Sequence, residues 1–263
     1  MSIYTDREKL EFVASALKIQ NERVKLGQVF KQEAEMIVGL AKKVSALTIT
    51  DLGCWTGLLA SEIFALWPEL KNYHAVDAVP MFIEFAKKQL EGKPVDFTGV
   101  TLVPRLANLP EVASIKVSPF DTLNTASIYT GRVPSKQVLI ELPVFSNSYI
   151  TPFVTDHREF FSDDSYVKID LDGVDIAVVE TILAQDLHPC VIQFEVWKMF
   201  YDKGLASLRP ELEKYGYVWP DIDYTVYKHF SIALTRGSGW WFVGYTPNEF
   251  DPRAFVANYK SDF

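Results

Sequence analysis

"TITDLGCWTGLLASEIF", residues 48–64, joins a β-like run to a helix-like one through Gly53-Cys54-Trp55-Thr56-Gly57. The first half reads as a strand that ends around Asp51 and Gly53, and Gly57 opens the helix. Glycines at such a turn let backbone N–H groups approach a ligand closely, because no Cβ stands in the way. The flanks place the turn in a larger rhythm. "LTITDL" is a strand and Thr56 to Trp67 a helix; "YHAVDA" and "MFIEFAKKQL" repeat the pair, and "VTLVPRL" reads as a third strand. "SYVKIDL", the helix Val174 to Ala184, "CVIQFEVW", the helix-like "LASLRPELEKYG" and the strand-like "FSIALT" and "GWWFVGY" continue it. Alternating βα units predict an α/β fold: a mostly parallel sheet with helices on both faces and its ligand at the carboxyl ends of the strands.

Two stretches stand outside this rhythm. Residues 1–46 read as an N-terminal helical extension, with Thr5 and Glu8 at capping-box spacing and Ile37, Leu40 and Val44 on an apolar stripe. Gly27 is a candidate break between two helices; the segment could lid a pocket or form a subunit contact, and packing against the sheet is the plainer expectation. Residues 47–263 form one domain, interrupted at 107–163 by an insert in which "ASIKVSPF" and "KQVLIELPVF" are extra strands around a polar loop.

Composition narrows the function. With 48% hydrophobic residues over 263 positions the chain can bury a large core, and a net charge of −8 argues against a nucleic-acid partner. Cys54 and Cys190, far apart in sequence, read as reduced, buried thiols of a cytoplasmic protein. The N-terminus lacks the apolar core of a signal peptide, and no run reaches the length of a membrane helix.

The loop motif is Asp51-x-Gly53-x-x-x-Gly57, and Asp77 lies 20 residues past Gly57. A nicotinamide dinucleotide site has a comparable spacing. Two details favour a different ligand. Trp55 occupies the second glycine position of G-x-G-x-x-G, and Asp51 before the loop would repel a pyrophosphate. A ligand that brings cations and no phosphate suits this acid. S-adenosylmethionine is such a ligand, with its methionine portion by Asp51 and Gly53 and its ribose diol on Asp77. A nicotinamide-dependent oxidoreductase is the competing reading, and a merely structural βα turn is the bland one.

Residues 165–197, "SYVKIDLDGVDIAVVETILAQDLHPCVIQFEVW", resemble the FkbM family of S-adenosylmethionine-dependent methyltransferases. Lys168, Ile169, Asp170 and Gly173 match its hallmark. Asp172 and Asp175 replace two glutamates, and Glu195 falls at the family's strand-end glutamate. Upstream, Asp51, Gly53 and Gly57 are similar to its first motif and Asp77 to its second. The resemblance implies a Rossmann-like class I methyltransferase fold and O-methylation of a sugar or natural-product-like hydroxyl. The 107–163 insert would then encode the small-molecule acceptor. A non-catalytic binding protein on the same scaffold is the other alternative.

Candidate roles follow with their rivals. Asp170, closing a parallel strand, is the first candidate for orienting the acceptor or taking its proton; Lys168, two residues back, could instead neutralise it. Asp172 either binds the acceptor or, with Asp175, caps the following helix. Glu195 is an acceptor-side acid or the partner of a basic group. His157, in "TDHREF", is a candidate general base whose rival reading is a solvated loop histidine. His74, within its strand, reads as a core residue. Asp163 and Asp164 read as a solvated turn, and no metal site is expected.

Overall fold

The computed structural model describes residue 11 and residues 29–104, 114–117, 140–171, 174–194, 208–218 and 232–236. Helix α1 (Val29–Lys43) leads into β1 (Thr48–Leu52), α2 (Leu58–Leu66), β2 (Asn72–Asp77), α3 (Pro80–Gln89) and β3 (Val95–Gly99). A short β4 (Thr101–Val103) follows, then β5 (Ser114–Val117), β6 (Ile140–Pro143) and β7 (Asn147–Tyr149). Helix α4 (Ile150–Asp156) and a 3-10 turn (Arg158–Phe161) lead into β8 (Ser165–Ile169), α5 (Asp175–Ala184) and β9 (Val191–Phe194). Helix α6 spans 208–214, and β10 (Tyr217–Val218) and β11 (Ile232–Arg236) complete the described elements.

Seven strands form one sheet in the order β10-β11-β9-β8-β1-β2-β3. The run from β9 to β3 is parallel, and β11 lies antiparallel to both of its neighbours. The central strands β1 and β8 are buried at every position, as strands covered on both faces must be. This is a Rossmann-like α/β arrangement, a doubly wound, mostly parallel sheet with one antiparallel strand added. The chain fills the sheet outward from β1 to β3, then returns to the other side of β1 with β8. The strand order therefore reverses between β1 and β8, and the crevice beyond their carboxyl ends is the place such a fold offers to a ligand.

Each face has its own core. On one, Ile49, Tyr73, Tyr166 and Val191 meet Met36, Ile37 and Leu40 of α1 and Ile63 and Phe64 of α2. On the other, Leu52, Val167, Ile169, Ile192 and Phe194 meet α4, α5 and the 3-10 turn. The stripe Ile37, Leu40 and Val44 thus packs as expected, and burying each such aliphatic side chain contributes about 1.5–3 kcal/mol. Local signals agree with the ends of the helices: Pro80 opens α3, and lysines occupy the last turns of α1 and α3.

Two expectations need correction. The third sheet strand is not "VTLVPRL" but Val95–Gly99; Thr101–Val103 pairs with β7 in a separate two-stranded sheet. The 107–163 insert is also narrower than its sequence suggests. Ile150, Phe153, Val154, Phe160 and Phe161 are buried in the core, so 150–161 belong to the scaffold. The extra strands read in "ASIKVSPF" and "KQVLIELPVF" are present as the antiparallel pair β5–β6. The capping box at Thr5, the break at Gly27 and "GWWFVGY" lie outside the described residues.

Candidate active site

The loop after β1 is built inward. Gly53 and Cys54 donate their backbone N–H groups to the Val76 carbonyl at 2.8 and 3.0 Å, and Gly57 donates to Cys54 at 3.0 Å. Trp55 donates to Oδ2 of Asp77 at 2.9 Å. An anion-cradling loop needs these donors free, so the loop offers no ready nest for a pyrophosphate. Its glycines answer to protein neighbours. Gly53 has φ +85, and a Cβ there would collide with the carbonyl of Asp170. Gly57 has φ +78, and a Cβ would stand 3.0 Å from Cβ of Ala86 and 3.2 Å from Leu90. Gly53 therefore lets β1 and β8 close together, whereas Gly57 seats the loop on α3. Trp55 takes a positive φ of 47, a conformation rare for a bulky residue, and its ring meets Phe82 edge-on at 5.8 Å.

Asp77, at the end of β2, fastens this loop. Besides Trp55 it accepts the N–H of Val79, at Oδ1 and 2.8 Å. The carboxyl is buried, which raises it from 3.8 to about 6 against the opposing pull of the Val79 and Trp55 N–H groups. Each carboxylate oxygen has a second acceptor site, so Asp77 can hold the loop and receive a ribose diol.

A row of polar side chains runs under α1 on the same face. Asp51, Lys168 and Gln193 occupy matched positions of β1, β8 and β9. Asp51 is 1% exposed; Tyr73 donates its hydroxyl to Oδ2 at 2.8 Å and Lys168 contacts Oδ1 at 3.2 Å. Lys168 also reaches Asp170 at 3.3 Å. Burial opposes the lysine charge, but Asp51, Asp170 and Glu33 outweigh it and hold its pKa well above the ordinary value. Asp170 marks the crevice edge: its backbone N–H bonds Leu52 at 2.9 Å, while 46% of its side chain faces out.

Glu33 of α1 closes the row and escaped the sequence reading. Its Oε1 accepts from Nε2 of Gln193 at 3.0 Å, and Gln193 in turn accepts the Tyr166 hydroxyl at 2.6 Å. Burial raises the Glu33 carboxyl to about 7; Lys168 pulls it down, while Asp170 and Asp51 push it up. A signal existed. Glu33 stands one turn before Ile37 on the stripe that continues to Leu40 and Val44, and an acid on a buried stripe calls for a reason.

The structure thus brings Asp51, Gly53, Asp77 and Asp170 to one crevice, with Lys168 and Glu33 beside them. It does not bring His157 there. His157 follows α4 on the opposite face, where its ring stacks on Phe160 at 4.7 Å and Phe160 stacks on His74 at 4.1 Å. A general-base role for His157 is therefore corrected: aromatic packing under the sheet explains the residue. Asp175 is buried and accepts the Leu171 N–H at 3.3 Å, tying the start of α5 to the end of β8. Asp172, Gly173 and Glu195 lie outside the described residues. Cys54 and Cys190 are both buried and neither is in a disulfide.

These residues suit a cationic, phosphate-free ligand. The N–H groups of Gly53, Cys54, Trp55 and Gly57 are turned to protein acceptors, and three carboxylates, Asp51, Asp170 and Glu33, act on one lysine. The Thr56 hydroxyl is buried in the loop without a hydrogen-bond partner among the described residues, the exception in a loop otherwise satisfied by protein. Among the described residues, no group of three potential ligands could hold a metal ion, and no helix is long and apolar enough to cross a membrane.

No protein-family model and no curated protein matches the chain. Solved structures similar to it include the methyltransferase domain of bacterial CtHen1, at 14% identity over 79% of this chain and 99% of that one, with a TM-score of 0.46. Another is an SAH-bound methyltransferase from Podospora anserina, at 10% identity, covering 78% and 77%, with a TM-score of 0.42. The plantazolicin methyltransferase BpumL, in complex with SAH, shares 13% identity over 77% of this chain and 59% of its own, at a TM-score of 0.36.

Proposed function

We propose that this chain is an S-adenosylmethionine-dependent O-methyltransferase of the FkbM type, acting on a hydroxyl of a sugar or natural-product-like small molecule. The observation that carries the reading is the crevice at the carboxyl ends of β1, β2 and β8, where Asp77 and a surplus of carboxylates meet a loop in which Gly53, Cys54, Trp55 and Gly57 already donate to protein acceptors. The FkbM resemblance of residues 165–197 supports the choice of an oxygen acceptor.

S-adenosylmethionine supplies an electrophilic methyl group on a sulfonium. The remaining work falls to the protein. Asp77 accepts the ribose hydroxyls, and the fixed strand ends hold the reactants in line, where alignment supplies most of the acceleration. Asp51 keeps Lys168 ionised and in place. Lys168 steadies Asp170, whose outward carboxylate orients the acceptor hydroxyl and takes its proton, a contribution of roughly 10²–10⁴-fold.

Isothermal titration with S-adenosylmethionine and S-adenosylhomocysteine, with NAD as the control, tests the reading. Binding of both adenosyl compounds and not of NAD is expected. NAD binding alone would favour an oxidoreductase, and binding of none would favour a scaffold without catalysis.

A further inference from the structure

Asp51 was the residue expected to meet the cationic end of the donor, yet it is sealed. Both its oxygens are engaged, by Tyr73 and by Lys168, and it is 1% exposed. Glu33 has the opposite arrangement. It comes from a separate element, α1, and is only partly buried. It accepts one hydrogen bond, from the neutral amide of Gln193, at Oε1. The charged groups acting on it are Lys168 and Asp170 from β8 and Asp51 from β1. Tyr166 and Tyr73 also face it, and burial keeps both phenols protonated by raising them well above their ordinary values.

Lys168 serves Asp51, Asp170 and Glu33 together, so among the described residues three carboxylates act on one cation. We propose that Glu33 receives the α-ammonium group of the methyl donor, so that α1 forms part of the donor site. The inference rests on the donor reading above and deepens it. A coupling follows. Glu33 is partly protonated at neutral pH, because burial raises it to about 7. An adjacent ammonium favours the carboxylate, so the acid's proton leaves to solvent as the N⁺–H···O⁻ contact forms. Donor binding then releases protons, and affinity rises as pH rises through about 7.

The test compares two ligands by titration calorimetry. S-adenosylhomocysteine carries the ammonium, and 5′-methylthioadenosine shares its adenosine but lacks the amino acid. Asp77 contributes to both, so its own pH dependence cancels in the comparison. For the wild type at pH 7, in buffers of different ionisation enthalpy, S-adenosylhomocysteine should release a substantial fraction of one proton more than methylthioadenosine. Glu33→Gln, which keeps the shape and a hydrogen bond to Gln193, should weaken S-adenosylhomocysteine at least 10-fold, abolish its excess release over methylthioadenosine and leave methylthioadenosine affinity unchanged. If wild type binds both ligands without a difference in proton release, the inference is overturned even when the variant cannot be made. Equal weakening of both ligands by Glu33→Gln, or of neither, overturns it too and leaves the donor reading standing. If wild type binds neither ligand, the donor reading itself fails.

Discussion

Asp77 is asked to do two things, and its pKa separates them. Asp77→Ala should leave the Trp55 and Val79 N–H groups unpaired, costing about 1–3 kcal/mol each if they stay buried. Its loss should also cut affinity for adenosyl ligands ten-fold or more, as calorimetry would measure. The pH trends run in opposite directions. Burial raises this carboxyl in the folded chain to about 6, so folding favours the protonated form. The resulting stability is fully present below the unfolded value, about 4, and is lost as pH rises through about 6. Ribose binding needs the carboxylate and should improve over the same interval. Melting temperatures of wild type minus Asp77→Ala across that range check the first trend, and ligand affinity checks the second. Asp170 calls for a different readout. Asp170→Asn keeps the shape at the crevice edge and should bind donor within a few-fold of wild type. Methyl transfer to a hydroxyl acceptor found by screening should slow at least roughly 100-fold in single turnover. A variant as fast as wild type would leave alignment as the whole of the catalysis.

At the scale of elements, the loop between β1 and α2 is held by its neighbours on both sides. Gly57→Val places a β-branched side chain at φ +78 against Ala86 and Leu90 of the α3 region. It should destabilise the fold by more than 1 kcal/mol, because strain and overpacking add. A chemical melt would show this without any ligand. A fully stable variant that has lost only donor affinity would return Gly57 to the ligand's side. The elements also show what the sequence made legible. β1, β8 and β9 are buried on both faces and announce themselves as apolar or β-branched runs. β3 is an edge strand, "VDFTG", mostly half-buried, so its polar positions carried no signal and the better-buried Thr101–Val103 drew attention instead. The same limit applied at the site. Asp51, Gly53, Asp77 and Asp170 share strand ends and could be read from their spacing. Glu33 reaches the row from a helix whose docking only tertiary structure reveals, and the His157 ring was absorbed by Phe160, a partner no spacing rule predicts.

At the scale of the whole molecule, the segments that flank the proposed acceptor region meet one end of the sheet. β3 hands over to β4 beside Asp77: Val100 donates to the Asp77 carbonyl at 3.0 Å, and Phe145 donates to Ala78 at 2.8 Å. β4 and the segment following β6 thus meet the sheet at this carboxyl end, next to the proposed donor site. Replacing "DTLNTASIYTG", residues 121–131, with a short glycine linker should therefore spare adenosyl-ligand binding and folding while abolishing transfer. Loss of folding would instead mark the segment as core, like residues 150–161.

The two thiols sit at opposite ends of this sheet. Cys54 lies in the loop, and Cys190 donates to the carbonyl of Ser165, the first residue of β8, at 3.0 Å. Since they are the only cysteines in the chain, the unaltered protein carries its own pair of chemical clocks. A thiol-reactive dye should label Cys54 whenever the loop opens locally and Cys190 only on larger excursions, and an adenosyl ligand should slow the first clock while barely touching the second.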